Sequence, residues 1–286
     1  MIQPVHEDLF AVVGNPVSHS LSPVMMNAAF RSLGIPAVYL ALQIDSPVDD
    51  LKTLWETGFK GLSVTLPFKE TVYRAAVSVD ETAEAIGALN TLRRCDKGWE
   101  GINTDWIGAT RAIGRFTRLH GKNALVIGAG GAARAVVYGL KREGARVTVS
   151  NRCIERGRSL SSSMRCDFIS LPALAKSGNG RDFDIVVQCT SVGLMEEQSA
   201  RLVPDSFFHP GMVVMETVYR PLWTGFLLQA RQAGCTTVPG IDMLLHQGVA
   251  QLEWWLDRPV PASNGIDVME KALKKALEDE QDIQKD

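Results

Sequence analysis

Short apolar runs alternate with amphipathic stretches along most of the 286-residue chain. The apolar runs, bounded by turn residues, predict buried strands at residues 9–13, 37–44, 62–66, 124–127, 146–149, 184–187 and 213–215. The amphipathic stretches between them predict helices at residues 22–33, 48–57, 69–77, 105–118 and 132–143. Because strands that alternate with helices usually form parallel sheets, the pattern predicts an α/β protein with parallel sheets.

The order of these elements also predicts two lobes. The helix at residues 105–118 leads into a new strand, and a second boundary falls near Pro239-Gly240. The segment between the two boundaries holds enough strands and helices for one nucleotide-binding unit. The N-terminal part and the C-terminal helices would then form the other lobe, which is discontinuous in sequence. The charged segment at residues 271–286 is expected to fray into solvent.

The overall composition is that of a folded globular protein. Hydrophobic residues make up 45% of the chain and charged residues 22%, which excludes the disordered and fibrous classes. Lys and Arg number 30 against 32 Asp and Glu, for a formal net charge of -2. Without a net positive field the chain has no general means of attracting phosphodiester backbones, so nucleic acid is not expected as a partner.

Cysteine and histidine spacing argues against disulfide and metal sites. The five cysteines are scattered and lack a C-x-x-C spacing, and the five histidines lack an H-E-x-x-H spacing. The first residues carry acids where a signal peptide needs a basic and an apolar region, and no apolar run reaches the roughly 18 residues of a membrane span. We therefore expect a cytoplasmic protein with reduced thiols, no metal and no membrane contact.

A glycine-rich segment follows the predicted strand at residues 124–127. It reads Gly128-Ala129-Gly130-Gly131-Ala132-Ala133, which matches the G-x-G-x-x-A pattern and opens a predicted helix. Gly128 permits a tight turn, Gly130 lets the backbone approach a pyrophosphate, and Ala133 allows close packing of helix and strand. The helix N-terminus adds amide donors for an anion. This context predicts a dinucleotide site rather than a glycine-rich turn without a ligand.

The end of the next predicted strand bears on the choice of cofactor. An NAD enzyme places Asp or Glu about 20 residues beyond the first glycine, whereas this chain has Ser150, Asn151 and Arg152 there, followed by Arg156. Two guanidinium groups suit a 2′-phosphate, so NADP is predicted over NAD. Glu155 counts against this interpretation, and the alternative is that both arginines are solvated surface residues.

Polar residues outside the glycine-rich unit are candidates for chemistry. Ser20 and Ser22 lie at a strand-to-helix turn where hydroxyls can bind an anion, although Ser22 equally suits an ordinary N-cap. Lys69 begins a predicted helix, where its charge opposes the helix dipole. Asn103 and Asp105 precede another helix and could either take part in chemistry or cap that helix.

At these residues the chain resembles the shikimate dehydrogenase family, from about Phe10 to Trp255. The segments that match the family's signatures in identity and order are His19-Ser20-Leu21-Ser22-Pro23, Val64-Thr65-Leu66-Pro67-Phe68-Lys69-Glu70, Gly87-Ala88-Leu89-Asn90-Thr91, Asn103-Thr104-Asp105, Gly128-Ala129-Gly130-Gly131-Ala132-Ala133-Arg134, Asn151-Arg152 and residues 243–247. The resemblance implies a substrate-binding and catalytic domain at residues 1–110, a Rossmann-type NADP-binding domain at 111–239, and C-terminal helices at 240–286 that pack on the first domain. It implies reversible NADPH-dependent reduction of 3-dehydroshikimate to shikimate, in chorismate and aromatic amino acid biosynthesis, in a cleft between the lobes.

The resemblance also implies roles at individual positions. Lys69 and Asp105 would form the catalytic pair, in which the lysine gives or takes the alcohol proton and the carboxylate orients it. The substrate carboxylate would be held by Ser20, Ser22 and Tyr219, and the ring hydroxyls would be read by Thr65, Asn90 and Gln247. The NADP site would comprise Gly128, Ala129, Gly130, Gly131, Ala132, Asn151, Arg152, Arg156, Thr190, Gly240 and Met243, although Met243 also suits a position in the core.

Several positions depart from the family's common pattern. Ser63 stands where many members carry Asn, Gln188-Cys189 replaces Asn-Ala, Cys153 replaces Thr and Glu216 replaces Asp. The shorter Ser63 side chain leaves open a quinate/shikimate dehydrogenase or a paralogue that acts on a related cyclic hydroxy acid. A non-catalytic metabolite sensor is a further alternative. The expected assembly is a monomer or a homodimer.

Overall fold

A computed structural model describes residues 7–194 and 201–283. The strands, in chain order, are β1 (Asp8–Gly14), β2 (Ala37–Gln43), β3 (Gly61–Val64), β4 (Ser78–Val79), β5 (Thr91–Cys95), β6 (Gly98–Ile102), β7 (Asn123–Ile127), β8 (Arg146–Asn151), β9 (Asp167–Ser170), β10 (Ile185–Gln188), β11 (Val213–Glu216) and β12 (Thr236–Val238). The α-helices are α1 (Ser22–Ser32), α2 (Pro47–Glu56), α3 (Lys69–Ala75), α4 (Glu81–Ile86), α5 (Asp105–Gly114), α6 (Gly131–Arg142), α7 (Ile154–Ser163), α8 (Leu171–Ser177), α9 (Gly225–Gln232), α10 (Gly240–Leu256) and α11 (Asp267–Ile283). None of the helices in these two ranges is long and apolar enough to cross a membrane.

The chain divides into two compact units. The first comprises Met1–Thr104 together with Gly248–Asp286, and the second comprises Asp105–Gln247. Helix α5 lies in the second unit because it packs against α6. The first two turns of α10 also lie there, and a side chain at Gly108 of α5 would meet the Met243 carbonyl oxygen and the Gln247 Cβ at 2.8 Å. The division therefore falls inside α10 rather than before it.

The sheet of the first unit has the strand order β2-β1-β3-β5-β6-β4. Strand β1 pairs in parallel with β2 and β3, whereas β5 runs antiparallel to both β3 and β6. The prediction of parallel pairing therefore holds for β1, β2 and β3 and is wrong for β5. The physical reason is a tight hairpin, since Cys95 pairs with Gly98 across two residues and Gly98 has a φ of 141°, which favours glycine.

The C-terminal helix α11 packs against α1 within the first unit. Its buried residues Met269, Leu273 and Leu277 recur every four positions and form an apolar stripe on one face. The expectation that residues 271–286 fray into solvent is therefore wrong for 271–283, because burying this stripe stabilises the helix. Residues 284–286 lie outside the described part of the chain.

The second unit contains an all-parallel sheet in the order β12-β11-β10-β7-β8-β9. Read from β9, this is the doubly wound order of the Rossmann fold, with the switch point between β7 and β10. Alternate residues of β7 enter two different cores, since Ala124 and Val126 lie in one apolar cluster and Leu125 and Ile127 in the other. The prediction of an α/β protein with a Rossmann-type domain is confirmed.

Candidate active site

The ends of the parallel strands β1 and β3 bring two predicted motifs to one edge of the first sheet. The Thr65 amide donates to the Val13 carbonyl oxygen over 2.9 Å, and the Asn15 amide donates to the Leu66 carbonyl oxygen over 2.9 Å. A Cβ at Gly14 would come within 2.3 Å of the Thr65 Cγ2 atom, so the close approach of the two segments requires glycine there. The segment after β1 carries Ser20 and Ser22, and the segment after β3 carries Thr65 and Lys69.

The two serines lie at the start of α1, and neither occupies its N-cap position. Leu21 occupies the N-cap position, and Ser22 is the first helical residue, with 5% of its surface exposed. The Ser20 hydroxyl accepts from the Ser22 amide over 3.3 Å. The alternative in which Ser22 is an ordinary N-cap is therefore wrong, because the residue lies one position too far into the helix.

Backbone hydrogen bonds join the Lys69 segment to the predicted substrate residue Asn90. The Leu89 amide donates to the Lys69 carbonyl oxygen over 3.1 Å, and the Val64 amide donates to the Asn90 carbonyl oxygen over 2.8 Å. Lys69 is the first residue of α3, as predicted. The first unit therefore gathers five predicted site residues at one sheet edge, namely Ser20, Ser22, Thr65, Lys69 and Asn90.

Asn90 is 2% exposed, and both ends of its carboxamide are hydrogen-bonded. The Asn90 Oδ1 atom accepts from the Thr104 amide over 2.7 Å and from the Thr91 hydroxyl over 2.9 Å, while its Nδ2 donates to the Thr104 hydroxyl over 2.9 Å. The Asn103 Nδ2 donates to the Ala88 carbonyl oxygen over 2.9 Å. Asp105 begins α5 and is 3% exposed.

Ser63, which the sequence analysis noted as a departure, and two residues that it did not connect to the site, Tyr39 and Gln251, complete this polar network. The Tyr39 hydroxyl donates to Ser63 Oγ over 2.6 Å, and Ser63 donates to Gln251 Oε1 over 2.8 Å. We call the buried set the amide cluster, and it consists of Tyr39, Ser63, Asn90, Thr91, Thr104 and Gln251. The one sequence signal for Gln251 is its spacing, since it follows Gln247 by four residues on the same helix and so lies on the same face.

The predicted phosphate loop has the geometry of an anion site. Gly128 has a φ of 126°, and a Cβ there would meet the Cys189 carbonyl oxygen at 3.0 Å. Gly130 takes the N-cap position of α6 in an extended conformation, and no side chain caps this helix end. Among residues 7–194 and 201–283, no atom lies within 4 Å of a Cβ added at Gly130, so there is open space beside this glycine. Glycine residues and uncapped amides at this position fit the pyrophosphate of a dinucleotide.

The segment after β8 places the two predicted arginines on the surface of the second unit. Asn151 ends the strand, and its Nδ2 donates to the Cys153 carbonyl oxygen over 2.9 Å. Arg152 and Arg156 are both exposed, and within residues 7–194 and 201–283 neither forms an ion pair. Glu155 lies at the start of α7, where its own backbone amide and the Cys153 thiol hold the pKa of its carboxyl below the usual value. Glu155, the acidic residue that argues against NADP, thus has its carboxyl bound at the start of α7.

Gln188 shapes the segment that carries Thr190. Its Nε2 donates to the Val192 carbonyl oxygen over 2.9 Å, and its Oε1 accepts from the Thr190 amide. The Thr190 hydroxyl in turn accepts from the Val192 amide over 3.2 Å. The buried Gln188 side chain, which is longer than the Asn common in the family at this position, therefore fixes the conformation of the turn after β10.

Glu216 is fully buried at the end of β11, next to Gln188. Its carboxyl accepts from the Val218 amide over 3.2 Å, the Thr224 hydroxyl over 3.2 Å and the Gln188 Nε2 over 3.4 Å. Burial raises the pKa of Glu216 to about 8, against the opposing effect of these donors. We call Gln188, Glu216 and Thr224 the carboxyl cluster. Sequence reasoning noted Gln188 and Glu216 only as departures, because their contact depends on the pairing of β10 with β11.

The remaining predicted residues lie in the second unit. Tyr219 is half-buried after β11. A side chain at Gly240 would meet the Val218 carbonyl oxygen at 2.4 Å, so glycine is needed there. Met243 belongs to an apolar core cluster of this unit, and Gln247 is 8% exposed with its Nε2 donating to the Leu244 carbonyl oxygen over 2.9 Å. The part of the chain that the structure describes holds no group of three or more His, Cys, Asp or Glu residues that could bind a metal.

Comparison with known proteins agrees with this geometry. Family models match residues 12–92 as the shikimate dehydrogenase substrate binding domain, residues 110–199 as shikimate / quinate 5-dehydrogenase and residues 240–274 as the shikimate 5'-dehydrogenase C-terminal domain. A shikimate dehydrogenase (NADP(+)) of Syntrophobacter fumaroxidans is 60% identical over 286 residues, which is 100% of both chains.

More distant relatives extend the same agreement to three dimensions. A shikimate dehydrogenase (NADP(+)) of Methanothrix thermoacetophila is 41% identical over 94% of this chain and 97% of its own. The crystal structure of shikimate 5-dehydrogenase from Thermus thermophilus in complex with NADP(H) and shikimate superposes with a TM-score of 0.82, at 34% identity over 93% of this chain and 99% of that one. The matched sequence, the strand orders and the shared structure have one explanation: the chain belongs to the shikimate dehydrogenase family.

Proposed function

We propose that the protein catalyses the reversible reduction of 3-dehydroshikimate to shikimate with NADPH. The observation that carries the proposal is the edge of the first sheet, where backbone hydrogen bonds join the segment that begins with Lys69 to segments that carry hydroxyl and amide residues. Hydroxyl and amide groups suit a polyhydroxylated ring with a carboxylate, and a lysine can transfer a proton to or from a carbonyl oxygen. The open phosphate loop of the second unit supplies a place for the cofactor.

The cofactor supplies the hydride in the direction of reduction and accepts it in the reverse direction. For binding, we assign the pyrophosphate to the backbone of Gly128, Ala129, Gly130, Gly131 and Ala132. The 2′-phosphate is assigned to Arg152 and Arg156, with Asn151 beside them. The assignment is supported by the exposure of both guanidinium groups and by the binding of Glu155 to the start of α7. We assign Thr190, Gly240 and Met243 to the nicotinamide end of the cofactor.

Lys69 and Asp105 are assigned the proton transfer. In the reduction, the Lys69 ammonium gives its proton to the substrate carbonyl oxygen as the carbon receives the hydride, and the alcohol forms. In the oxidation, the neutral amine takes the hydroxyl proton back. Asp105 orients the lysine and the substrate hydroxyl through its carboxylate. Such a positioned acid or base contributes roughly 100- to 10,000-fold to a rate.

Substrate recognition is assigned to uncharged groups. Ser20, Ser22 and Tyr219 hold the carboxylate, and Thr65, Asn90 and Gln247 bind the ring hydroxyls. We favour shikimate over quinate, because the Ser63 hydroxyl donates its proton to Gln251 and accepts from Tyr39. Its bonds are thus directed into the amide cluster, which weakens the case for Ser63 as the source of a broader substrate range.

The test is a set of initial rates with shikimate or quinate and with NADP or NAD. We expect turnover of shikimate with NADP, and a loss of at least 100-fold in kcat for Lys69→Ala with shikimate binding retained in calorimetry. The control is Lys52→Ala, which removes an exposed lysine of α2 that pairs with Glu56 and should leave kcat unchanged. Comparable quinate turnover would favour the broader enzyme, and a wild type that binds shikimate without turnover would favour a sensor.

The cofactor assignment has its own test. Arg152→Ala should raise the KM for NADP about tenfold or more while leaving the KM for NAD unchanged, because the lost ion pair involves only the 2′-phosphate. Arg201→Ala, which removes an exposed arginine paired with Asp205, serves as the control. Equal effects on NADP and NAD would show that Arg152 does not bind the 2′-phosphate.

We also propose a cytoplasmic protein that is monomeric or forms a homodimer. The scattered, odd number of cysteines supports a reducing compartment. The near-neutral net charge supports small-molecule rather than nucleic-acid partners. Light scattering after size-exclusion chromatography distinguishes one copy from two, and any larger assembly would contradict the proposal.

A further inference from the structure

The turn after β10 lies beside the phosphate loop of the second unit. Gln188, the last residue of β10, pairs with Ile127, the last residue of β7. A Cβ at Gly128 would meet the Cys189 carbonyl oxygen at 3.0 Å, so the start of the turn lies against the first glycine of the loop. In doubly wound sheets a dinucleotide binds at the carboxyl ends of the strands that flank the switch point. The turn therefore borders the proposed cofactor site.

The Gln188 side chain holds this turn at two points of its backbone. Its Oε1 accepts from the Thr190 amide, and its Nε2 donates to the Val192 carbonyl oxygen over 2.9 Å. Because a carbonyl oxygen can only accept and an amide N–H can only donate, the two contacts fix which end of the carboxamide faces which residue. The buried Gln188 carboxamide thus joins residue 190 to residue 192.

The other two members of the carboxyl cluster support Gln188 and the turn. Gln188 Nε2 also donates to the Glu216 carboxyl over 3.4 Å, and the Thr224 hydroxyl donates to the same carboxyl over 3.2 Å. Gly193 has a φ of 93°, and a Cβ there would meet the Thr224 Cγ2 atom at 3.1 Å. The turn is thus held at its start by Gln188 and packs at its end on Thr224.

The Thr190 hydroxyl is the group that this arrangement orients. Its oxygen accepts from the Val192 amide over 3.2 Å, so the hydroxyl can meet a ligand as a donor. No acceptor for its proton is found among residues 7–194 and 201–283. A hydrogen bond between a threonine hydroxyl and the amide two residues further on is weak by itself. It needs residues 190 and 192 to stay close together, and the Gln188 carboxamide provides this.

The strand order indicates which half of a dinucleotide the turn would meet. Strand β7 lies between β10 and β8, and the proposed 2′-phosphate site follows β8. A dinucleotide that crosses the switch point with its adenosine half toward β8 has its nicotinamide half toward β10. The Thr190 hydroxyl is therefore on the side of the nicotinamide half.

We infer that Gln188 is a positioning residue, which holds the turn after β10 so that the Thr190 hydroxyl donates a hydrogen bond to an acceptor on the nicotinamide half of the cofactor. The inference rests on the cofactor site of the proposed function and not on the identity of the substrate. Since the contact does not involve the 2′-phosphate, it should strengthen the binding of NADP and NAD alike.

The first test measures cofactor binding by Gln188→Met. Methionine has about the length of glutamine but no carboxamide, so the Kd for NADP in calorimetry and the KM for NAD should both rise roughly three- to tenfold. The KM for shikimate at saturating NADP should stay unchanged. Gln229→Met is the matched control, because the Gln229 Nε2 donates to the Val203 carbonyl oxygen over 3.1 Å in a loop of the same unit without predicted site residues. It should leave all three constants unchanged.

The second test asks whether Gln188 acts through Thr190. Thr190→Val removes the hydroxyl at nearly the same shape and should itself raise the Kd for NADP roughly three- to tenfold. In the double variant Gln188→Met/Thr190→Val, the Kd should be no higher than in Thr190→Val alone, because the group that Gln188 positions is gone. A general structural effect of Gln188→Met would instead raise the Kd by the same factor in both backgrounds.

The third test uses a fragment of the cofactor, adenosine 2′,5′-bisphosphate, which lacks the nicotinamide half. Gln188→Met and Thr190→Val should bind this fragment as tightly as the wild type does. Arg152→Ala should bind it more weakly, because the fragment retains the 2′-phosphate. A weaker affinity of Gln188→Met for the fragment, equal to its loss for NADP, would overturn the inference.

These outcomes separate the inference from the proposed function. A wild type that binds NADP without turning over shikimate overturns the proposed reaction, and the Kd values then still decide the inference. A wild type that does not bind NADP overturns both. The inference alone is overturned if Gln188→Met keeps its Kd for NADP, if Gln229→Met raises it equally, or if the effects at positions 188 and 190 multiply.

A second variant covers the case in which Gln188→Met does not fold, as judged by circular dichroism. Gln188→Glu keeps an acceptor for the Thr190 amide and, once ionised, has no donor for the Val192 carbonyl oxygen. Its Kd for NADP should rise in the wild-type background and not in the Thr190→Val background. An unchanged Kd in the wild-type background would overturn the inference.

Discussion

The two units bury polar groups in different ways. The amide cluster of the first unit contains hydroxyls and carboxamides, and its donors and acceptors are matched over distances of 2.6–3.2 Å. The carboxyl cluster of the second unit contains an ionisable group, Glu216. Burial raises the pKa of Glu216 to about 8, although side-chain and backbone donors face its carboxyl. Both clusters hold segments that carry predicted site residues.

The difference shows what each cluster can respond to. Hydrogen bonds between neutral groups fix side-chain geometry without a dependence on pH near neutrality. This suits the positioning of Asn90, which we propose to bind a hydroxyl group of the substrate. A buried carboxyl stabilises the fold only while it keeps its proton, so its contribution changes with pH. Buried polar groups therefore hold the structure independently of pH in the first unit and in a pH-dependent way in the second.

The largest effect in this comparison is expected from Asn90→Ala. The substitution leaves the buried Thr104 amide and Thr91 hydroxyl without their acceptor, which should lower the free energy of unfolding by about 3 kcal/mol in urea titrations. It should also lower kcat/KM for shikimate, because it removes the side chain that we propose to bind a ring hydroxyl of the substrate. Asn179→Ala, at an exposed position, is the control. A loss below about 1 kcal/mol would contradict the central place of Asn90 in the amide cluster.

The second prediction concerns Glu216→Gln. The folded-state pKa of about 8 lies above the ordinary value of 4.5, so the folded state keeps a proton that the unfolded state releases between these values. The stabilisation is complete below the unfolded pKa and is lost as pH rises through the folded pKa, by at most about 1.4 kcal/mol per pH unit. The variant cannot ionise, so its unfolding free energy should lack this slope.

The measurement is urea unfolding of wild type and Glu216→Gln at intervals from about pH 5 to about pH 9. In acid we expect the wild type to be more stable than Glu216→Gln, because the NH₂ group of the new glutamine would face the Gln188 Nε2 donor. This difference in unfolding free energy should shrink toward alkaline pH. Glu278→Gln, at an exposed position of α11, should run parallel to the wild type. Parallel curves for Glu216→Gln would mean that Glu216 is ionised across the range.

How much of the fold the sequence predicts differs between the units. The four central strands of the second sheet, β7, β8, β10 and β11, contain short apolar runs and are predicted to within a few residues, whereas its two edge strands, β9 and β12, are not predicted. In the first unit, residues 91–102 form the hairpin of β5 and β6 but contain Arg93, Arg94 and Glu100 among the apolar residues. Arg93 pairs with Glu100 across the two strands over 2.7 Å, a contact that no local apolar pattern reveals.

The residues of the candidate site also differ in how well the sequence predicts them. Residues carried by local motifs, such as Lys69 at the start of α3 and Gly128 at its positive φ, could be predicted because a short segment determines their geometry. Gln251 could not, since its partners Ser63 and Asn90 come from distant parts of the chain and meet only when α10 packs on the first sheet. The raised pKa of Glu216 was equally hidden, because it depends on burial by neighbouring elements.

The smallest effect is expected from Tyr39→Phe, at the far end of the amide cluster. The phenol donates one hydrogen bond to Ser63, and its loss leaves Ser63 still able to donate to Gln251. The free energy of unfolding should therefore fall by about 1 kcal/mol, with the KM for shikimate within twofold of the wild type. Because only neutral groups are involved, this difference should be the same at pH 6 and pH 8, about the range over which Glu216→Gln changes most. A pH-dependent difference for Tyr39→Phe in the same urea series would mean that the amide cluster contains a titrating group, and the contrast between the two units would fail.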